Sequence, residues 1–527
     1  MRRVHLDRPY AGGMAHGPNP ASSSAAARRP NAFLAAALSA LLPGVGQLYV
    51  GRRRRGWALL GIMAVAAAPA VWWLAAAYFG DGLLEAALSL TPNRLTLLVV
   101  ADVALLGFRA FAAADAYLIA APGKPRSPAR LAAIGGLVLL LGVTAYPHLY
   151  VGERVLLAHD LLTHDFNQDP GQVALEDVTT TTSAVTTSSE AGASSTTATL
   201  PPTTTTTLSA AFPEEGRVNV LLLGGDSGVG RRGIRTDTMI VVSIDPETGW
   251  TAMFGIPRNL MNLPIPPGHP AQGAWPCGDC FGMIANELYG WGLQRPDLFG
   301  GPNSGANAMK DLIGYLLDID IHYYALVDLE GFVEIIDAIG GVDIYVPERI
   351  YDTEYPNLDG TYSVIDLQPG TYDMDGEMAL YFARSRQGST DFNRMNRQRC
   401  VLEALAESAD PVSLVHELPT IVPAVEQSVF TDLPMDELAA FINLLSKVNT
   451  TEIVSIRFMP YAPEFDGTPT SYIAEWTADR YPVPDRDFIA QTVATALSLP
   501  PLEAIEVLNL RPLDDICSEP LNDPVQP

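Results

Sequence analysis

The residues whose types and spacing could carry chemistry begin with an arginine cluster, YFARSRQGSTDFNRMNRQR. Between residues 384 and 399 the cluster holds five arginines, no lysine and one acid, Asp391, although the chain carries a formal net charge of −26. Like charges this close repel one another, which favours a bound acidic partner. A guanidinium group matches two phosphate or carboxylate oxygens at once, whereas an ammonium group is a point charge. The cluster therefore predicts a binding site for such an anion.

The spacing within the cluster predicts that several of its polar side chains share a face. We expect Arg384 and Arg386 to end a β-strand, in which alternate side chains point to the same side. The next segment has helical periodicity, and intervals of three and four residues place Asp391, Arg394 and Gln398 on one face of that helix. An isolated Asp–Arg pair at this spacing is more often a surface salt bridge. The neighbouring strand-end arginines favour a site instead.

Further polar residues stand at the ends of earlier predicted strands. Asp226 ends the apolar run RVNVLLLGGD, Arg235 and Asp237 open the run in RTDTMIVVSID, and Arg258 follows the run in WTAMFGIPRN. If the sheet brings these strand ends together, they and the arginine cluster fit one crevice.

Two other kinds of site are not indicated. The glycine-rich GGDSGVGRRG lacks the Gly-Lys-Ser/Thr ending of a phosphate-binding loop. The eight histidines form no metal-ligand spacing, and no serine is paired with a base that could activate it. Covalent catalysis is therefore not predicted.

The elements that must position these residues alternate between strand and helix patterns. Apolar runs with turn signals such as PETG predict strands, and GANAMKDLIGYLLD, EGFVEIIDAIGG and TDFNRMNRQRCVLEALAE have helical spacing. This alternation predicts an α/β domain in which helices cover both faces of a mixed sheet. We assign it to residues 213–410 and treat residues 411–527 as its C-terminal continuation.

All four cysteines lie in this part of the chain, at Cys277, Cys280, Cys400 and Cys517. We expect the short CGDC to close on itself and leave Cys400 with Cys517, although the sequence allows three connectivities. A four-cysteine zinc site is the alternative, but the last two cysteines do not form a second close pair.

The N-terminal part of the chain has the pattern of a membrane region. Residues 57–79, 95–120 and 131–151 are each apolar enough to cross a bilayer as a helix. Basic residues precede the first run and lie between the second and third, which predicts that everything after residue 151 is outside the cell membrane. We interpret residues 31–51, broken by Pro43, Gly44 and Gly46, as a re-entrant hairpin. A complete crossing there would reverse the orientation.

Two segments lack the composition of a packed core. Residues 1–30 are predicted to be a disordered cytoplasmic tail. Residues 152–212 are predicted to be an extracytoplasmic linker, because they include a Thr- and Ser-rich run with few large apolar residues. We expect the linker to act as a stalk that holds the following domain away from the bilayer.

The ordered motifs LLLGGDS, RTDTMIVVSID, MFGIPRN, LQPGTYDMDGEMALYFARSR and TDFNRMNRQR resemble those of the LytR-CpsA-Psr family, over residues 217–409. The resemblance implies a phosphotransferase in the bacterial cell membrane, multi-pass, with its catalytic domain extracytoplasmic. Such an enzyme moves a glycopolymer from a polyprenyl pyrophosphate carrier to a peptidoglycan hydroxyl and forms a phosphodiester. Nucleic acid is not an expected partner, because the arginine cluster lies outside.

The resemblance also implies roles for individual residues. Asp226 and Asp237 would hold Mg²⁺, with Mn²⁺ as the alternative ion, and Asp226 or Asp391 would accept the proton of the acceptor hydroxyl. The usual Pro-Arg-Asp reads Pro-Arg-Asn here, at Asn259, which puts in doubt any role for an acid at that point. The residues implied for catalysis are Asp226, Asp391, Arg258 and Arg394. Those implied for pyrophosphate binding are Arg235, Arg258, Arg384, Arg386, Arg394 and Gln398.

Two alternatives to polymer transfer stay open. The domain would serve as a regulatory protein if it held a polyprenyl phosphate without turning it over, and as a lipid pyrophosphatase if water were the acceptor. The lipid tail also needs an apolar groove, and we expect the helices at residues 307–318 and 330–339 to form its walls.

Overall fold

A computed structural model describes most of the chain. The described residues are 30–79, 91–121, 128–166, 216–226, 234–301, 303–386, 391–408, 411–458 and 472–518. The predicted tail before residue 30 and most of the predicted linker, residues 167–212, lie outside this part.

Five helices are described in the N-terminal region. They are α1 (Ala32–Leu41), α2 (Val45–Tyr49), α3 (Arg53–Phe79), α4 (Pro92–Ala120) and α5 (Pro128–Thr163). Helix α4 and residues Ile134–Thr163 of α5 are long and apolar enough to cross a membrane, with mean hydropathies of 2.0 and 1.6. Helix α3 covers the first predicted span.

Residues 31–51 fold as a hairpin, α1–α2, that is held by buried polar contacts. The Ser39 hydroxyl donates to Gln47 Oε1 at 2.7 Å, and Gln47 Nε2 donates to the Ala112 carbonyl at 2.9 Å. A side chain at Gly46 would place its Cβ 1.9 Å from the carbonyl oxygen of Ala35, so only glycine allows this close approach. The hairpin therefore packs on α4 through hydrogen bonds that satisfy its buried amide.

Fourteen strands are described in the rest of the chain. They are β1 (Val218–Gly225), β2 (Thr236–Ile244), β3 (Thr251–Gly255), β4 (Met261–Pro264), β5 (Cys280–Ile284), β6 (Tyr323–Asp328), β7 (Val342–Val346), β8 (Ile350–Pro356), β9 (Tyr362–Leu367), β10 (Gly370–Met374), β11 (Val429–Thr431), β12 (Val454–Arg457), β13 (Ile473–Trp476) and β14 (Pro482–Pro484). Six of them form one sheet in the order β11-β6-β1-β2-β3-β12. Neighbours β1–β2, β2–β3 and β6–β11 are antiparallel, whereas β1–β6 and β3–β12 are parallel.

Helices surround this mixed sheet. They are α6 (Leu288–Gln294), α7 (Pro296–Phe299), α8 (Ser304–Leu317), α9 (Leu329–Ala338), α10 (Gly376–Arg384), α11 (Asp391–Ser408), α12 (Pro411–Ser428), α13 (Leu438–Leu445), α14 (Arg486–Ser498), α15 (Pro501–Val507) and α16 (Leu513–Ser518). The predicted fold class, an α/β domain with a mixed sheet between helices after N-terminal apolar helices, is confirmed.

The two faces of the sheet have different neighbours because side chains alternate along each strand. Leu221 and Leu223 of β1 belong to the main core, which also contains Leu312 of α8 and Ile489 of α14. Leu222, between them, lies on the opposite face and lines a cavity under α9 and α11. The sheet itself includes β11 and β12, so residues beyond 410 are part of the domain's scaffold.

The segment that carries Arg384 is a helix, so the strand predicted to end at Arg384 and Arg386 is wrong. Asp375 caps the N-terminus of α10, where its carboxylate accepts a hydrogen bond from the Met378 amide at 2.8 Å. The buried residues Ala379, Leu380, Phe382 and Ala383 have helical spacing. Arg384 therefore stands at a helix C-terminus and Arg386 two residues beyond it.

The segment directly after α5 contacts the domain, whereas the Thr- and Ser-rich residues predicted to form the stalk lie outside the described residues. The carbonyl oxygen of Phe166 accepts a hydrogen bond from the Thr431 amide of β11 at 3.0 Å, and the side chain of Phe166 is only 5% exposed. His164 lies 3.8 Å from Glu426 of α12. The described chain after α5 therefore contacts the domain as far as Phe166, the last described residue before residue 216.

Both predicted disulfides are present, Cys277–Cys280 and Cys400–Cys517. The second joins α16 to α11, the helix that carries Arg394 and Gln398. A disulfide stabilises mainly by restricting the unfolded chain, and its effect grows with the length of the closed loop. The bonded cysteines are 3 and 117 residues apart in the sequence. Removing each bond in turn therefore compares the stabilisation from a short loop with that from a long loop.

We expect Phe166→Ala to lower the free energy of unfolding of the domain by about 3 kcal/mol, because it removes a buried aromatic side chain. Leu156→Ala is the matched control, since Leu156 lies in α5 with 56% of its side chain exposed. Tryptophan fluorescence during thermal unfolding of the full chain in detergent measures both. If residue 166 belonged to a free stalk, the two variants would unfold alike.

Replacing both Cys400 and Cys517 by serine is expected to lower the free energy of unfolding by about 5 kcal/mol, from the entropy of the long loop. The same replacement of Cys277 and Cys280 is expected to lower it by about 2 kcal/mol. Chemical unfolding of the two double variants gives the comparison. Equal losses would contradict the role of loop length.

Candidate active site

A polar cleft of about 450 Å³ lies where the ends of several elements meet. Asp226 directly follows β1, and Asp237 is the second residue of β2, which pairs with β1 from Gly225 and Thr236 onward. Arg258 lies three residues after β3. The cleft is lined by Asp226, Arg235, Asp237, Arg258, Asn286, Asp352, Glu354, Tyr355, Pro356, Arg384, Arg386 and Arg394. The structure thus brings together seven of the residues predicted from the sequence.

Ion pairs hold two of the carboxylates against arginines. Arg258 Nη1 lies 2.7 Å from Asp237 Oδ2, and Asn286 Nδ2 donates to Asp237 Oδ1 at 2.9 Å. Arg384 Nη2 lies 3.4 Å from Asp226 Oδ1. All four charged side chains are between 18% and 25% exposed, so they are largely withdrawn from solvent while lining the cleft.

The environment keeps Asp237 ionised. Burial by itself raises the pKa of this carboxyl, but the charge of Arg258, hydrogen bonds from Asn286 and Arg258, and the charge of Arg394 act in the opposite direction. Together they hold the pKa of Asp237 below its ordinary value of 3.8. The carboxylate is therefore a fixed negative charge at neutral pH.

Arg384 is oriented by a tyrosine as well as by an acid. Its Nη1 donates to the Tyr355 hydroxyl at 3.2 Å, and the ring of Tyr355 packs edge-on against Tyr381 at 4.7 Å between centroids. Burial raises the pKa of Tyr355, so its hydroxyl stays protonated. Arg386, by contrast, is exposed and faces the cleft from the segment after α10.

Helix α11 contributes Arg394 and Gln398, which are 3% and 9% exposed. Arg394 lines both the polar cleft and an adjoining apolar cavity, whereas Gln398 lines only the cavity. The side chain of Asp391, the third member of the predicted face, lies outside the described part of the chain. Arg235 reaches the cleft from the segment before β2 and lies 3.2 Å from Glu287.

The last two arginines of the cluster are structural. Arg397 Nε donates to the Phe382 carbonyl at 2.7 Å, and the same guanidinium donates to the Ser385 carbonyl. Arg399 is fully buried and donates to the carbonyl of Ile456 in β12. Burial is the main cause that lowers the pKa of Arg399, and repulsion from the charge of Arg457 lowers it further. These two residues hold α11 to its neighbours.

The adjoining apolar cavity has a volume of about 200 Å³. Helix α9 supplies part of its wall through Leu329, Phe332, Ile335 and Ile336. The second helix predicted to wall a lipid groove, α8, packs instead in the main core on the other face of the sheet. The cavity shares Asp226, Asp237, Arg384 and Arg394 with the polar cleft, so the two spaces are continuous.

Five of the described lining residues were not predicted from the sequence, namely Asn286, Asp352, Glu354, Tyr355 and Pro356. Asn286 lies in a short 3-10 turn, and the others belong to β8. In the sequence, the acids and tyrosines of IYDTEYP could have indicated that this strand contributes to the site. Asn259, where the family resemblance leads one to expect an acid, does not line the cleft.

Asp226 and Asp237 are compatible with a divalent cation. The described residues contain no group of three or more His, Cys, Asp or Glu side chains that could hold a metal. Mg²⁺, however, is commonly bound by one or two carboxylates together with phosphate oxygens and waters. The two carboxylates line one cleft that is wide enough for a phosphate-bearing ligand, so the donor set fits such an ion.

Comparisons with known proteins agree with this architecture. Over 234 residues the chain is 31% identical to the polyisoprenyl-teichoic acid–peptidoglycan teichoic acid transferase TagU of Oceanobacillus iheyensis, which covers 44% of this chain and 63% of the relative. The TagU of Halalkalibacterium halodurans is 28% identical over 220 residues, or 41% and 62% of the two chains. The chain thus spans less than two thirds of the length of these relatives.

Among solved structures, that of B. subtilis TagV is 22% identical, covers 56% of this chain and 99% of its own, and has a TM-score of 0.38. TagT bound to LIIa-WTA is 18% identical, covers 56% of this chain and 92% of its own, and has a TM-score of 0.37. These TM-scores are too low to relate the chains by fold, and the family membership follows from the amino-acid sequence. The family described as "LytR_cpsA_psr family" matches residues 178–477, more than half of the chain. The chain therefore belongs to the LytR-CpsA-Psr family.

Proposed function

We propose that this protein is a membrane-anchored phosphotransferase that moves a glycopolymer from a polyprenyl pyrophosphate carrier to a peptidoglycan hydroxyl. The observation that carries the proposal is the continuity of an arginine-lined cleft with an apolar cavity. Such a pair of spaces suits a ligand with a phosphate head and a hydrocarbon tail. The relatives named TagU are teichoic acid transferases to peptidoglycan, which supports the same reaction.

The arginines would bind the pyrophosphate and stabilise charge during transfer. Phosphoryl transfer develops negative charge on the leaving and equatorial oxygens, and donors already in place stabilise this charge without reorganisation. Arg258 and Arg384 are held in place by Asp237 and Asp226, and Arg394 is fixed by its burial on α11. Arg235 and Arg386 are exposed at the cleft and would reach outward to the ligand.

Gln398 would contact the ligand where the head meets the tail. Its side chain faces the apolar cavity beside Arg394, which also lines the cleft. An amide can donate and accept hydrogen bonds without adding charge to an otherwise apolar wall.

Asp226 and Asp237 would hold Mg²⁺, or Mn²⁺ as the alternative, together with the pyrophosphate. When bound, the ion would supply positive charge next to the phosphate oxygens. Asp237 is suited to this role because its pKa lies below the ordinary value and it stays ionised.

The apolar N-terminal helices would anchor the protein in the bacterial cell membrane as a multi-pass region. Helix α4 and the apolar part of α5 have the length and composition for this purpose, and α3 would add a third span. The basic residues at the start of α3 would lie on the cytoplasmic side by the positive-inside bias, so the domain would face the peptidoglycan.

We expect the double variant Arg384→Gln with Arg386→Gln to reduce transfer of polymer to peptidoglycan by at least about 10²-fold, because both side chains line the cleft and would carry developing charge. The measurement uses the full chain in detergent, with a polyprenyl pyrophosphate-linked disaccharide as donor, soluble peptidoglycan strands as acceptor, and Mg²⁺. Arg295→Gln is the matched control, because Arg295 pairs with Asp297 on the surface.

Mass spectrometry of lipid retained by the purified proteins separates the alternatives. Transfer by the wild type with loss in the double variant supports the proposal. Free phosphate or free polymer phosphate without transfer would indicate a lipid pyrophosphatase. Retained lipid without any turnover would indicate a binding or regulatory protein.

The stability contributed by Asp237 is expected to depend on pH. Because its native pKa lies below 3.8, the carboxylate stabilises the native state above that pH and loses the effect as pH falls through the native pKa. Asp237→Asn should therefore lower the free energy of unfolding by about 1–3 kcal/mol at pH 7. The difference in melting temperature between Asp237→Asn and the wild type should disappear only below about pH 4. Asp297→Asn, in a surface pair, is the control and should melt like the wild type at every pH.

A further inference from the structure

We infer that Glu354 is the general base of the transfer reaction, the group that accepts the proton of the attacking hydroxyl. The inference rests on the proposed transfer function and adds a residue that the motifs of the sequence do not contain. Four carboxylates line the polar cleft, Asp226, Asp237, Asp352 and Glu354, and their surroundings differ.

Three of these carboxylates are already engaged. Asp226 faces Arg384, and Asp237 faces Arg258 and Asn286, so both carboxylates already have ion-pair or hydrogen-bond partners in the cleft. Asp352 is only 7% exposed and accepts hydrogen bonds from the Ser385 hydroxyl at 3.0 Å and the Glu354 amide at 3.1 Å.

Glu354 is different because its side chain is exposed at the cleft. Among the described residues, its carboxylate has no hydrogen bond and no cation within the 4.0 Å of an ion pair. An exposed carboxylate at the cleft is placed to take a proton from an incoming hydroxyl and to pass it to water after each turnover.

The backbone places Glu354 at the cleft through an irregularity in β8. The pairing of β8 with β9 shifts register between Asp352 and Tyr355. In a regular strand Glu354 and Tyr355 would point to opposite sides. Here both line the cleft, as expected where a bulge redirects a side chain next to a site. The hydrogen bond from the Glu354 amide to Asp352 holds this bend, so Asp352 acts as a positioning residue.

In the step we assign to Glu354, the acceptor hydroxyl loses its proton to the Glu354 carboxylate while its oxygen bonds to the phosphorus that carries the polymer. The bond from that phosphorus to the bridging oxygen breaks, and its electron pair leaves with polyprenyl phosphate. Glu354 then releases the proton to solvent. The guanidinium groups already described and the carboxylates of Asp226, Asp237 and Asp352 line the same cleft as Glu354 and are the charged groups near it.

The test compares Glu354→Gln, Glu354→Asp and the wild type as full chains in detergent, with a geranylgeranyl pyrophosphate-linked disaccharide as donor, soluble peptidoglycan strands as acceptor, and Mg²⁺. We expect Glu354→Gln to lower kcat by about 10²-fold with little change in the KM of the donor. The acid limb of the pH–rate profile should disappear, and Glu354→Asp should restore part of the rate. Glu348→Gln is the matched control, because Glu348 precedes the same strand and lies outside the cleft.

The proposal is overturned if Glu354→Gln transfers within about threefold of the wild type with its acid limb intact, or if only KM changes. A wild type that hydrolyses the donor without transfer would refute the proposed function alone. The same criteria then apply to hydrolysis, because water also needs a base. A wild type that retains the lipid with no turnover would refute both proposals.

Discussion

The architecture of this domain depends on how an acidic chain holds guanidinium groups in a partly closed cleft. Five arginines and four acids line that space, so the arginines do not simply repel one another when no anion is bound. The pairs Arg258–Asp237 and Arg384–Asp226 also fix the direction of each guanidinium fork. A ligand with phosphate groups therefore meets donors that need little rearrangement, which is the condition for strong electrostatic stabilisation.

The arginine cluster serves the scaffold as well as the site. Arg397 and Arg399 point away from the cleft and donate to backbone carbonyls of the segment around α10 and of β12. Neighbouring residues of one helix thus line the cleft and hold that helix in position. The apolar cavity between α9, α11 and the sheet opens into the same cleft, which gives the site its two chemically distinct halves.

The parts of the chain outside the family motifs complete this scaffold. Residues beyond 410 add β11 and β12 to the edges of the sheet, and Cys517 ties the last described helix to α11. At the other end, Phe166 is bound to β11, so the extension of α5 is part of the domain's structure.

The sequence by itself determined the features that depend on local patterns. Alternating periodicity predicted the α/β class, and apolar runs ending in polar residues predicted that Asp226, Asp237 and Arg258 would meet. The tertiary structure decided the rest. Arg384 lies on a helix, not a strand. Its short apolar run is compatible with both helical and strand periodicity, and the N-terminal cap of α10 together with packing on α11 selects the helix. Glu354 lines the cleft beside a register shift in the pairing of β8 with β9, and the position of such a shift depends on how the two strands pair, which the periodicity of β8 by itself does not encode.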